Sequence, residues 1–140
     1  MGIEDLEVAK KRLRIYGLTL SIVKDSKAVF ESKSKGISDL VRAIESLGDK
    51  LSGASAADRV VGKAAALLFV YVGVRAVYAH ILSSRAKTVL ENNEVYFEWD
   101  GLVDKILNSK MDEACPFEKM AENISSPEEA YRRIKDRLML

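Results

Sequence analysis

The chain is short of the residues that most often announce a chemistry. It has one cysteine, Cys115, and one histidine, His80, among 140 residues. A single thiol excludes an intramolecular disulfide. The first residues, Met1-Gly2-Ile3-Glu4-Asp5, are acidic and lack the apolar core of a signal sequence, so a reducing, cytoplasmic setting is expected. Leu6 stands where a myristoylation signal wants Ser or Thr. A net excess of either charge is missing too. With 22 basic and 21 acidic residues the formal charge is +1, so bulk electrostatics give no pull toward nucleic acid. The densest basic stretch, Lys10-Lys11-Arg12 with Arg14, reads as the solvated side of a surface helix. The longest apolar run, Ala64 to Val74, is bounded by Lys63 and Arg75 and falls well short of the roughly 20 residues that cross a bilayer. There is no internal repeat, low-complexity segment or long linker. What remains, 48% hydrophobic and 31% charged, is the composition of one soluble globular domain spanning residues 1–140.

The order of elements follows from periodicity. Leu6, Ala9, Leu13 and Tyr16 recur at helical spacing, which predicts a leading amphipathic helix over residues 1–16 ahead of a core at 17–140. Leu18 to Val23 alternates with a period of two. Lys24-Asp25-Ser26-Lys27 supplies a turn, and Ala28 to Ser32 returns as the partner strand of a hairpin. Ile37, Leu40, Val41, Ile44 and Leu47 form a helical stripe ended by Gly48. Leu51 to Ala57 reads either as an Ala-rich strand or as a tight loop. Asp58 to Tyr71 reads as a helix apolar on nearly every face, with Asp58 as its N-cap. Strands at Val74–Ala79 and Val95–Trp99 alternate with a helix from Ser83-Ser84 to Leu90, and a further helix is expected around Leu102–Leu107. Ser126-Pro127-Glu128-Glu129 opens the last helix, with Ser at N-cap and Pro at N1. A hairpin followed by alternating helices and strands predicts an α/β fold: a three-layer α/β/α sandwich around a mixed sheet.

Lys63 is the sharpest pointer to a site, because an ammonium inside a greasy helix is expensive to desolvate unless it is paired or used. Two readings stand side by side. Either the side chain snorkels and pairs with Asp58 or Glu118, or it joins the positive helix end in binding an anion. Cys115-Pro116-Phe117-Glu118 imitates a capping box, so Cys115 reads either as an inert N-cap or as a thiol activated by a helix N-terminus. Ser83 and Ser84 read as capping residues that also sit near a strand end, where α/β sheets hold ligands.

This order of elements resembles the cytidine-deaminase-like fold. More narrowly, Val23-Lys24-Asp25 with Phe30-Glu31-Ser32, the run from Ala57 through Asp58-Arg59-Val60-Val61-Gly62-Lys63 to Ala66, Gly73 to Ala79, and Cys115-Pro116-Phe117-Glu118-Lys119 are similar to a small prokaryotic family of unknown function, DUF1893. The resemblance covers about residues 17–133 and raises Glu118 and Lys119 as site candidates. It departs from the zinc deaminases where their chemistry resides. Those enzymes need His or Cys followed two residues later by Glu at the start of the buried helix, and Pro-Cys-x-x-Cys on the next one. Here those helices open on Asp58-Arg59-Val60-Val61-Gly62-Lys63 and Ser83-Ser84-Arg85-Ala86. No metal and no cofactor are therefore implied.

The expected function is binding of a small anionic or nucleotide-like ligand where the zinc pocket would lie, with Asp58, Lys63, Ser83, Ser84, Glu118 and Lys119 as ligand contacts. Were there catalysis, Cys115 is the candidate nucleophile and Lys63 the charge stabiliser. The alternatives are an interaction protein that forms homo-oligomers or docks a partner, and thiol-based redox or nucleophilic activity at Cys115. Neither a membrane nor nucleic acid is an expected partner.

Overall fold

Five strands form one sheet in the order β2-β1-β3-β4-β5, and its two faces are covered very unequally. The computed structural model describes residues 2–34, 36–106 and 116–139. Helix α1 (Gly2–Ile15) leads into the hairpin β1 (Leu20–Lys24) and β2 (Lys27–Ser32). Asp25 and Ser26 both take positive φ, 52° and 69°, which matches the right-handed twist of the flanking strands. The Asp5 carboxylate accepts from the backbone N–H groups of Asp25 and Ser26 at 3.1 and 3.0 Å, tying α1 to this turn.

Helix α2 (Ser38–Leu47) and a single 3-10 turn (Gly48–Leu51) then lead to β3 (Ser55–Val61). β3 runs antiparallel to β1 and parallel to β4 (Ala76–Ser83), which is parallel to β5 (Tyr96–Val103). The intervening helices are α3 (Lys63–Tyr71) and α4 (Ser84–Asn92), and α5 (Pro116–Ala121) and α6 (Pro127–Met139) close the chain. The fold is thus α/β, a mixed sheet with helices on both sides, as the alternation of elements predicts. No helix among the described residues is long and apolar enough to cross a membrane.

Helix α3 is central: it touches α2, α4, α5 and α6, and Ala64 through Phe69 are all buried. Each of Leu67, Leu68 and Phe69 adds about 1.5–3 kcal/mol by leaving water. On the opposite face α1 is the one helix among the described residues, packing Leu6, Ala9 and Leu13 on Val23, Ala57, Ala76 and Tyr78.

Three sequence expectations change. Asp58 is not the cap of the buried helix, because β3 continues through it to Val61 and pairs with β4 as far as Leu82. The β-branched pair Val60-Val61 suits the pleat better than a first helical turn, and Gly62, extended, becomes the N-cap residue of α3. Leu102 and Val103 belong to β5 and not to a helix, since Leu102 pairs with Leu82 and Val103 with Ser83; Leu107 lies outside the described residues. Tyr16 lies beyond the end of α1 and is 53% exposed instead of completing the buried stripe.

Candidate functional site

Where β3 ends and α3 begins, the chain crosses from strand to helix through Gly62 alone, and the start of α2 and of α5 converge on that crossing. Between them lies a cavity of about 480 Å³. Its walls are mainly apolar: Leu20 from β1, Ile37 and Leu40 from α2, Ala64 and Ala65 from α3, and Phe117 from α5. The charged groups at its surface are Asp39, Asp58, Arg59 and Glu118.

Each carboxylate is in a different state. Asp39, 2% exposed, receives hydrogen bonds from Ser32 and Arg42. Burial works against its ionisation, but the Ser32 hydroxyl and the Arg42 guanidinium outweigh it and hold the carboxyl below its ordinary value. Glu118 reaches across from α5 to the N-terminus of α3. Its two oxygens accept from the backbone N–H groups of Lys63 at 2.8 Å and Ala64 at 2.9 Å. This is an N-cap supplied from a distant helix, where a carboxylate also meets the positive end of the helix dipole. It explains the glycine: a Cβ at position 62 would lie 2.4–2.6 Å from the Glu118 carboxyl atoms.

Asp58 has neither kind of support. Its carboxyl, on a half-buried residue at the cavity, accepts from the backbone N–H of Val60 at a long 3.4 Å. Burial pushes its pKa up to about 7, against the smaller downward pull of the Val60 and Arg59 N–H groups. Arg59 donates from Nε to the carbonyl of Leu18 at 2.7 Å.

The sequence-derived site residues divide between this cavity and its surroundings. Asp58 and Glu118 line the cavity; Lys63, Ser83, Ser84 and Lys119 do not. The Lys63 backbone meets Glu118, while its ammonium turns away and donates to the carbonyl of Glu122 at 3.1 Å. Ser83, 1% exposed, caps α4 by accepting from the Ala86 N–H at 3.0 Å. Ser84 donates to the Val103 carbonyl at 3.3 Å. Lys119 is on the exposed side of α5. Cys115, and with it both expectations for the thiol, lies outside the described residues. His80 sits on another part of the sheet, with Nδ1 3.0 Å from Asp100 Oδ2. The Tyr78 hydroxyl donates to the same carboxylate and, with His80 second, lowers the Asp100 pKa.

Sequence reasoning missed Asp39 and Arg59. An aspartate in the first turn of a helix reads as a dipole partner, so nothing local says that Asp39 is buried. Arg59 was masked by the expected helix; its place beside a strand carboxylate appears only once β3 is extended.

Comparison with known proteins follows from this geometry. The family model described as "Domain of unknown function (DUF1893)" matches residues 8–138, which takes in the second half of α1 as well as the core. A crystal structure of a DUF1893 family protein from Thermotoga maritima is 26% identical, covers 98% of this chain and 92% of that one, and has a TM-score of 0.89. A diaminohydroxyphosphoribosylaminopyrimidine deaminase/5-amino-6-(5-phosphoribosylamino)uracil reductase from Thermotoga maritima is similar at 16% identity and a TM-score of 0.50. The match covers 84% of this chain but only 41% of that enzyme, and it is a likeness of fold alone. No curated protein matches the sequence.

A zinc centre of the deaminase kind does not fit the residues at the corresponding helix starts. α3 opens on Gly62, Lys63 and Ala64, and α4 on Ser83, Ser84 and Arg85, so neither offers a thiolate or imidazole. Among the described residues no group of three His, Cys, Asp or Glu side chains is arranged to hold a metal ion.

Proposed function

The chain belongs to the DUF1893 family, and on that premise we propose that it binds a small nucleotide-like ligand in the cavity at the start of α3. The observation that carries this reading is Asp58: a desolvated carboxyl on an otherwise largely apolar cavity of about 480 Å³. Small-molecule sites combine that size and apolar lining with a few polar groups that fix orientation. Leu20, Leu40, Ala65 and Phe117 suit the faces of a flat ring, Asp58 suits its polar edge, and Arg59 suits an anionic substituent.

Of the two ligand chemistries expected from the sequence, a purely anionic one has less support. The helix end that would attract an anion already holds the Glu118 carboxylate. Neither Lys63 nor the two serines faces the ligand in this reading, so Asp58 and Arg59 are the residues on which recognition depends. The test is a thermal-shift and ligand-observed NMR screen over nucleobases, nucleosides and nucleotides. At least one should raise the melting temperature, and both Asp58→Asn and the cavity-filling Ala65→Phe should remove the effect. Silence across the panel at millimolar concentration would overturn the reading.

A second reading, self-association or partner docking through α1, has its own support. Ile3, Ile15 and Tyr16 on and just beyond that helix are 55%, 65% and 53% exposed. Analytical ultracentrifugation of the chain and of Ile15→Glu separates it from the first: a dimer that the substitution dissociates favours docking.

A further inference from the structure

Among the described residues at the cavity, Asp58 is the least supported carboxylate, with only neighbouring backbone N–H groups, Val60 at a long 3.4 Å and the weaker pull of Arg59, to meet it. Asp39 is met by Ser32 and Arg42, and Glu118 by two backbone N–H groups. The two cations on the adjoining elements make their contacts elsewhere. Arg59, next along β3, has its Nε on the Leu18 carbonyl; Lys63, at the start of α3, has its ammonium on the Glu122 carbonyl. α2 and α5 bring only the two satisfied carboxylates to the cavity. The neighbours of Asp58 across β1 and β4 are Leu20 and Ala79. Among the described residues no cation pairs with it.

We propose that the part of the ligand that meets Asp58 is a nitrogen base that, once protonated, presents two adjacent N–H donors, as in an amidine, a guanidine or an aminopyridine. This rests on the small-ligand reading above and narrows it. A carboxylate offers two parallel acceptors, which such an edge matches in a charge-assisted two-point pair. Against ionised Asp58 a ligand carboxylate would be repelled, and a neutral amide would leave one Asp58 oxygen facing its carbonyl. The proton balance is explicit. If the ligand enters as its free base, the proton on the Asp58 carboxyl moves to the ligand nitrogen. If it enters as the cation, that proton goes to solvent. The Asp58 carboxyl of the free protein titrates near 7, so binding of a permanent cation is linked to proton release.

The experiment uses the full chain, three isosteric probes (benzamidine, benzamide and benzoate) and the smaller base 2-aminopyridine, titrated by NMR at pH 6 and pH 8. At pH 8 benzamidine should bind at least about tenfold more tightly than benzamide, and its own binding should weaken about tenfold from pH 8 to pH 6, as a carboxyl titrating near 7 takes up its proton. Asp58→Asn should abolish both differences. Asp58→Ser serves as a second variant, with a melting curve confirming that each is folded. Equal or tighter binding of benzamide or benzoate overturns the inference, as does a benzamidine preference that survives in the folded variants. If nucleosides bind but no basic probe does, this inference fails while the small-ligand reading stands. If nothing binds, both fail.

Discussion

Asp58 and Asp39 lie at the same cavity with pKa values displaced in opposite directions, and the sign of each displacement fixes how it acts on stability. A carboxyl whose pKa is raised on folding stabilises the fold while it is protonated, and that contribution is lost as pH rises through the folded-state value. For Asp58 the window runs from about 4 to about 7. Asp39, held low, contributes above its unfolded pKa and loses that contribution as pH falls through the folded one. Asp58→Asn replaces the ionisable group with a neutral isostere. Relative to the parent it should therefore gain stability between pH 5 and pH 8, by an amount on the order of 1–3 kcal/mol at about 1.4 kcal/mol per pKa unit. Urea midpoints of both proteins at the two pH values test this. A constant difference would mean that Asp58 is ionised throughout. The sequence identified Asp58 as a residue of interest for a reason that fails. Aspartate before an apolar helix looks like a cap, and the competing signal, two β-branched residues after it, had no partner strand in view.

The start of α3 depends on a residue far along the chain. Local reading finds the hairpin, the apolar α3 and the Ser126-Pro127 start of α6, because each is written within a few residues. The Ser126 hydroxyl indeed accepts from the Glu129 N–H at 3.3 Å. The cap of α3 is different: Gly62 has no side chain to offer, and Glu118 supplies the acceptor from α5. No periodicity connects those positions. The dependence between them is measurable. Glu118→Ala removes the cap and should cost about 1–2 kcal/mol. Gly62→Ala places a methyl group where the carboxylate rests, displacing that flexible side chain, and should cost a similar amount. Because both changes break one contact, the double variant should be scarcely less stable than the worse single one. Additive losses in chemical denaturation would show that Gly62 and Glu118 act separately.

The two faces of the sheet set unequal demands on the chain. One is packed by helices that support one another around α3; the other, among the described residues, is packed by α1 through Leu6, Ala9 and Leu13. The basic run Lys10-Lys11-Arg12 with Arg14, read from sequence as a solvated face, is largely turned to the protein itself. Lys10 meets Glu98 on β5 at 2.7 Å, Arg12 meets Glu31 on β2 at 2.5 Å, and Arg14 lies over the Tyr78 ring. α1 thus spans the sheet from one edge strand to the other, apolar inward and ionic at its flanks. The two kinds of contact should differ in weight. Leu6 is fully buried, and Leu6→Ala should cost about 2–5 kcal/mol as transfer and cavity terms add. Lys10→Ala loses a partly exposed ion pair and should cost about 1 kcal/mol or less, diminishing further in salt. Because α1 is the only cover for its face among the described residues, Leu6→Ala should also raise binding of a hydrophobic dye well before global unfolding, while Leu68→Ala on the thicker side unfolds in a single step. Coincident dye and circular-dichroism transitions in Leu6→Ala would mean that α1 and the core unfold as one unit.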